Sequence, residues 1–208
     1  MVCIINGHEE LLDHPLVRAM YKDRKRVFID LLGWDLPRQG EFEHDAFDDE
    51  NAVYLVVADP ITGDHLASLR LLRTDRPHLM SEVFPQLSEG PVPGGVHIRE
   101  ITRLCLSPRL RAAERIKARN ALAKGLIEYA LLMDISALTG LSEIKFLSEI
   151  LSAGWRCMPL GLPQVIDGSV LGAFQIDVTP ETLRQLRQSW RCDVDHPLVF
   201  DIQSPLAA

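Results

Sequence analysis

The chain has 208 residues, 47% of them hydrophobic, and a formal net charge of −7. That is ample for a full core and leaves no overall basic field, which argues against nucleic acid or an anionic membrane as a partner. Its four cysteines, Cys3, Cys105, Cys157 and Cys192, lie far apart without CxxC pairs, so neither a zinc site nor a disulfide scaffold is expected. Reduced thiols in a cytosol fit best. The opening MVCIINGHEE lacks a basic n-region, and no stretch approaches the ~20 apolar residues of a membrane span, so a cytoplasmic protein is expected.

Between Pro15 and Leu32 the apolar residues mostly recur at helical spacing, which predicts a first helix with Asp13 as N-cap and Gly33 as its stop. Trp34 to Asn51 is polar, acidic and aperiodic, as expected of an irregular surface excursion. Val53–Ala58 and His65–Leu72 are apolar runs flanking the turn DPITGD, an antiparallel hairpin. A Pro/Gly-rich connection leads to a long strand over Val96–Leu106, and a helix follows over about Ala112–Met133. Asp134–Leu138 is a short strand candidate, Ser142–Ala153 a helix with Ser142 as cap, and Trp155–Leu160 another strand. Val165–Val178 suggests a hairpin around Asp167 and Gly168, Thr179-Pro180-Glu181 opens a last helix to about Arg191, and a tail follows that is expected to be loose from about residue 200. No repeat or linker divides this order. It predicts a single α/β (α+β) domain with a mixed, largely antiparallel sheet flanked by helices.

Three clusters place charge where apolar residues would cost less. On the first helix Arg24 and Phe28 share a face, with Trp34 just beyond; a guanidinium beside two rings suits a cation, an adenine or a carboxylate, the alternative being core aromatics and a solvated arginine. Glu43, Asp45 and Asp48 stand in EFEHDAFDDEN before the first strand, either as a solvated acidic loop or as a site for a cationic ligand; the spacing is not that of a calcium loop, and no metal is expected. In HIREITRLCLS, Glu100 and Thr102 point one way and Ile101 and Arg103 the other on a regular strand, unless a bulge turns Glu100 and Arg103 toward one cleft. Arg70, on a strand that could neighbour this one, is a partner for Glu100 if the pair is structural. SPRLRAAERIKARN then carries Arg109, Arg111 and Arg115 at a strand-to-helix transition, where free backbone N–H groups and basic side chains suit a phosphate.

Taken in order, these residues resemble the acyl-homoserine lactone synthases, the Lux-type autoinducer synthases. Arg24, Phe28 and Gly33-Trp34 are similar to the family's opening motif, Asp45 and Asp48 to its paired aspartates, Ser68-Leu69-Arg70-Leu71-Leu72-Arg73-Thr74 with Met80 and Phe84-Pro85 to its strand motif, and Glu100-Ile101-Thr102-Arg103 to its Glu-x-Ser/Thr-Arg. Arg99, Leu104 and Arg73 depart from the family's usual residues at their positions. The resemblance spans roughly residues 20 to 160. It implies a fold similar to the GCN5-related N-acetyltransferases, that is, the acyl-CoA N-acyltransferases. It also implies two substrates, S-adenosylmethionine and an acyl thioester on acyl carrier protein or coenzyme A, with no cofactor.

On this resemblance the amine of S-adenosylmethionine must lose a proton before it is acylated, and Glu100 is the first candidate base, with Glu43 the second. Arg24, Phe28, Trp34 and Arg103 would shape the adenosylmethionine site, Asp45 and Asp48 would meet its positive groups or hold the arginines, and Arg70 would organise the network. Phe84 and Thr139 are assigned to substrate, Thr139 to a 3-oxo group in an acyl tunnel lined from Ile135 to Phe146. Lys145, Arg156 and the basic run from Arg109 through Arg111 and Arg115 to Lys124 would dock an acidic carrier. Two other readings stay open: an N-acyltransferase acting on another amine, and a catalytically silent relative that binds acyl carriers. Oligomeric state has no motif behind it.

Overall fold

The structure, a computed structural model, describes residues 1–8, 11–190 and 197–200. The chain opens with strand β1 (Val2–Asn6), which precedes the expected first helix. Five residues without a turn signal are too short for periodicity to reveal. Helix α1 (Pro15–Arg24) is capped by His14 rather than Asp13, with Leu16 N–H donating to His14 Nδ1 at 3.2 Å. Pro15 explains the shift, because it drives the residue before it into the extended conformation that a cap requires. From Lys25 to Leu31 the helix widens into a π-helical turn, and Gly33, at φ 70°, ends it.

The excursion that follows holds a small hairpin of β2 (Arg38–Gln39) and β3 (Phe42–Glu43). Strands β4 (Val53–Ala58) and β5 (His65–Arg73) come next, and then a short helix the sequence reading missed, α2 (Leu79–Val83). Strand β6 (Ile98–Leu106) begins two residues later than expected, and helix α3 covers Ala112–Leu132. Strand β7 (Ala137–Glu143) lies further on than the expected Asp134–Leu138, because Asp134 sits at φ 53° in a turn. Ser142 therefore belongs to β7, and Glu143 is the N-cap residue of α4 (Ile144–Leu151). A strand glycine at 140 has a packing reason: a Cβ there would stand 2.8 Å from the Phe174 ring.

The last elements are β8 (Cys157–Pro159), β9 (Gln164–Ile166), β10 (Ser169–Asp177), α5 (Pro180–Trp190) and β11 (Leu198–Phe200). Asp167 at φ 48° and Gly168 at φ 82° make the two-residue turn expected between β9 and β10. The expected loose tail contains β11, which pairs parallel to β1; its final residues lie outside those described. Parallel pairs β1–β11 and β6–β7 stand among antiparallel pairs β1–β4, β7–β10, β8–β10 and β9–β10, so the sheet is mixed and largely antiparallel, with helices flanking it. Among the described residues no helix is long and apolar enough to cross a membrane.

The chain divides into two compact units. The first takes Met1–Leu69 and Cys105–Leu122 together with β11, and its strands run in the order β11-β1-β4-β5. Val2, Ile4, Val17, Met20, Leu55 and Val56 are buried in it. The second takes Arg70–Leu104 and the chain from Ala123 through α5, with the order β5-β6-β7-β10-β8. There Glu100 on β6 is in register with Thr139 on β7, and Thr139 with Gln175 on β10, so the three share one face of the sheet. Leu141 and Ala173, also in register, lie on that face, where Met80 and Leu87 pack on Ala173 with Phe84 and Leu160 around them.

Candidate active site

In the first unit the widened turn after α1 sets the geometry. Its long hydrogen-bond spacing carries Trp34 back over the helix, where Trp34 N–H donates to the Phe28 carbonyl at 2.9 Å. The two rings stack at 5.1 Å with planes 6° apart. Phe28 is buried, whereas Trp34 is 39% exposed, so the stack offers an aromatic surface to an incoming group.

Arg24 does not face that stack as a free cation. It is 1% exposed, and its Nε donates to Glu43 Oε2 at 2.6 Å while its two terminal nitrogens reach both oxygens of Asp48 at 2.8 Å. Its guanidinium also lies over the Tyr21 ring, 4.7 Å from the centroid. Tyr54 donates to Asp48 Oδ1 at 2.8 Å, which leaves Tyr21 as the donor in the Tyr21–Tyr54 contact at 2.9 Å. Burial opposes the charge of Arg24, yet Asp48 and then Glu43 outweigh it and hold the guanidinium firmly protonated. Burial and the Asp48 charge push the Tyr54 phenol upward. Asp48 also accepts the Asp45 N–H, and Asp45 accepts the Phe47 N–H, so the acidic loop is folded around the arginine. Glu43 and Asp48 thus hold Arg24 in an ionic frame, in line with the alternative in which the acidic loop holds the arginine, and Asp45 folds that loop through its own N–H to Asp48 and the Phe47 N–H. A buried guanidinium needs compensation on every side, and the acidic loop supplies it.

Arg109, with its side chain 49% exposed, donates to Asp23 Oδ1 at 3.1 Å and to the His65 carbonyl at 3.2 Å. Asp23 Oδ2 is 2.9 Å from His65 Nδ1, and His65 Nε2 is 3.0 Å from Ser68 Oγ. Burial would raise the Asp23 carboxyl, but the His65 hydrogen bond and the charge of Arg109 hold it below its ordinary value. Arg115 reaches the Ser107 carbonyl at 3.4 Å, and Arg111 is exposed with its N–H held by Glu114 at 2.8 Å.

In the second unit Glu100 is fully buried on β6. Met80 N–H donates to both its oxygens, at 3.0 and 3.2 Å. Burial pushes its carboxyl up to about 7, against the pull of the Met80 and Leu79 N–H groups and of the Arg70 charge. Arg70, also fully buried, donates through Nε to Thr102 Oγ1 at 3.0 Å. Three residues past Glu100, Arg103 adopts φ 51°, so β6 is not a regular strand there. The β6–β7 pairing runs from Ile98 to Ile101 against Ala137 to Gly140, just short of it. Thr139 is fully buried, and its hydroxyl has no hydrogen-bond partner among the described residues. Phe84 is half-buried at the edge of the Met80 cluster.

Of the other basic residues assigned to a carrier, Lys145 is exposed, and Arg156 is exposed with its Nε 3.0 Å from Asp177. Lys124 is 2% exposed and 3.4 Å from Glu128, so it drops out of any docking face; half of α3 is buried and that side needs a paired charge. Cys105 is buried in the core, which pushes its thiol up to about 12, and Cys157 is likewise pushed to about 12 while half-buried. Among the described residues no group of three or more His, Cys, Asp or Glu is placed to hold a metal. Sequence reasoning missed Tyr21 and Tyr54 as parts of the frame, and also the Asp23–His65–Ser68 chain. Only Tyr21 left a trace, one helical turn before Arg24.

The mixed, largely antiparallel sheet flanked by helices is a fold this chain shares with solved structures. The solved structure of ElaA from Escherichia coli shares that fold with a TM-score of 0.56 at 17% identity, over 84% of this chain and 99% of that one. The chain belongs to the autoinducer synthase family, whose model matches residues 8–186. It is 30% identical over 182 residues to an acyl-homoserine-lactone synthase of Acinetobacter nosocomialis, covering 84% of this chain and 99% of that one. It is also similar to the solved structure of BjaI, a CoA-dependent acyl-homoserine lactone synthase with SAM and isopentyl-CoA bound, with a TM-score of 0.85 at 26% identity over 97% of this chain and 93% of that one.

Proposed function

We propose that this protein transfers an acyl group from an acyl thioester to the amine of S-adenosylmethionine and closes the lactone with release of methylthioadenosine, as an acyl-homoserine lactone synthase. The observation that carries the reading is Glu100. A carboxyl whose proton affinity lies near neutrality, at about 7, is matched to an α-amine that titrates near ~8. Glu100 takes the proton from the α-ammonium, directly or through water, and the free amine attacks the thioester carbonyl; collapse breaks the C–S bond, and the carrier leaves as a thiol with the proton shed by the new amide nitrogen. Backbone N–H groups where β6 departs from regularity at Arg103 are suited to the developing oxyanion. In the second step the substrate carboxylate attacks its own γ carbon and expels a neutral thioether from the sulfonium, a step governed mainly by orientation.

The Phe28–Trp34 stack is assigned to the adenosylmethionine, with Arg24, Glu43, Asp45 and Asp48 as the frame that holds this turn in place. Arg103 is assigned to its carboxylate, and Arg70 keeps Thr102 and the Glu100 strand ordered. Thr139 offers its hydroxyl to an oxygen of the acyl group, and Phe84 lines the apolar side with Met80 and Leu87. Arg111, Arg115, Lys145 and Arg156 are exposed cations assigned to the carrier, together with Arg109, which is half-exposed while it pairs with Asp23. The donor is an acyl-acyl carrier protein or an acyl-CoA; the CoA-dependent character of BjaI favours testing acyl-CoA first. A cytoplasmic location suits thiols kept reduced.

The test is to incubate purified protein with S-adenosylmethionine and a panel of acyl-CoA and acyl-carrier-protein thioesters. Methylthioadenosine and an acyl-homoserine lactone should appear together. Acylated product without methylthioadenosine would point to an N-acyltransferase of another amine, and binding without either product to a silent relative.

A further inference from the structure

His78 stands two residues before Met80 and is 3% exposed. Its backbone N–H donates to Ser81 Oγ at 3.0 Å, and Ser81 Oγ donates back to the His78 carbonyl at 3.0 Å. Its ring Nδ1 lies 2.9 Å from the Arg76 carbonyl oxygen. A carbonyl only accepts, so Nδ1 carries the proton and Nε2 is left as a bare acceptor. Nε2 is buried and has no partner among the described residues.

These three bonds close the turn from Arg76 to Ser81. That turn presents the Met80 N–H to both oxygens of Glu100, and the Leu79 N–H as a second donor to the same carboxylate. The other groups facing Glu100 are the Arg70 cation from β5 and the Thr139 hydroxyl, in register on β7. An ordinary helix start needs only a short polar cap, and serine or asparagine serves better than histidine. An imidazole that satisfies one nitrogen and buries the other without a partner is a costly way to begin a five-residue helix. What it supplies is a side-chain donor of fixed tautomer at the Arg76 carbonyl.

We propose that His78 is a positioning residue for Glu100: by locking the Arg76–Ser81 turn it fixes the backbone donors that hold the carboxylate, and so sets the pH at which Glu100 becomes a base. The inference rests on Glu100 acting as the base, but its test does not need turnover. Loosening the turn weakens N–H bonds made to the charged carboxylate, so the proton is held more tightly.

The experiment follows the carboxyl carbons of 13C-labelled glutamate by NMR in the ligand-free protein, with the Glu100 signal identified by its loss in Glu100→Gln. In the native protein Glu100 should titrate at about 7. In His78→Ala its proton affinity should rise about tenfold, and the ascending limb of kcat/KM should move to higher pH with it. His78→Asn, which keeps a donor where Nδ1 stood but cannot itself titrate, should restore both. His78→Gln, which keeps reach at the Nε2 position instead, should behave like His78→Ala. If His78→Ala does not fold, the Asn and Gln variants alone decide. A native Glu100 titration in His78→Ala, or rescue by Gln and not by Asn, would overturn the proposal. Should no lactone be made by the native protein, the NMR titration still stands, and only the functional reading fails.

Discussion

The guanidinium of Arg24 meets two carboxylates within 2.8 Å, one of them anchored by Tyr54, whereas the carboxylate of Glu100 meets a backbone N–H at 3.0 Å and lies in the field of Arg70. Both side chains are buried, and the two surroundings treat charge in opposite ways. Around Arg24 every charge is answered, so its ionised form is locked in. Around Glu100 burial wins over its donors, and the proton comes and goes near neutral pH. The Thr139 hydroxyl and His78 Nε2, without a hydrogen-bond partner among the described residues, belong to the second region as well. Complete compensation marks a frame; incomplete compensation marks a place where something else must bind or react.

Breaking the frame should have the larger effect on stability. Arg24→Met leaves Glu43 and Asp48 buried without their cation and should cost about 3–5 kcal/mol, read by chemical denaturation. If the loss is under about 1 kcal/mol, the carboxylates are not held as described. Removing the charge at Glu100 should do the reverse. A group raised by folding contributes stability below its ordinary value, near 4.5, and that contribution is lost as pH rises toward about 7. The gap corresponds to about 3 kcal/mol, so Glu100→Gln should melt several degrees above the native protein at pH 8 and close to it at pH 5. An equal difference at both pH values would show that charge is not the cause. Thr139→Val, the smallest change, replaces a buried hydroxyl that has no partner and should leave stability within about 1 kcal/mol, unchanged or slightly improved, while raising KM for an oxygen-bearing acyl donor. A marked destabilisation would mean that the hydroxyl is structural.

How far the sequence could be read follows the same division. Arg24, Glu43, Asp48 and Glu100 were visible because each places charge where an apolar residue would cost less, and the hairpin β4–β5, the long strand β6 and the helix α3 were visible through turns, apolar runs and composition. Partnership was not visible, because Arg24 and its carboxylates are 19 and 24 residues apart and only the tertiary fold joins them. Strands β1 and β11 escaped because three to five residues carry no period, and β7 was misplaced because Asp134 could be read as strand until its φ of 53° showed a turn. His78 left no signal at all, since its importance lies in backbone N–H groups it holds rather than in its own chemistry.

The account turns on Glu100 being the group that must lose its proton before acyl transfer. The most direct measurement is the pH dependence of kcat/KM for lactone formation in the native protein and in Glu100→Gln. The expected result is an ascending limb centred near 7 in the native protein, and in Glu100→Gln a rate lower by about 10²–10⁴-fold with that limb gone. The same limb at nearly the same rate in Glu100→Gln would contradict it.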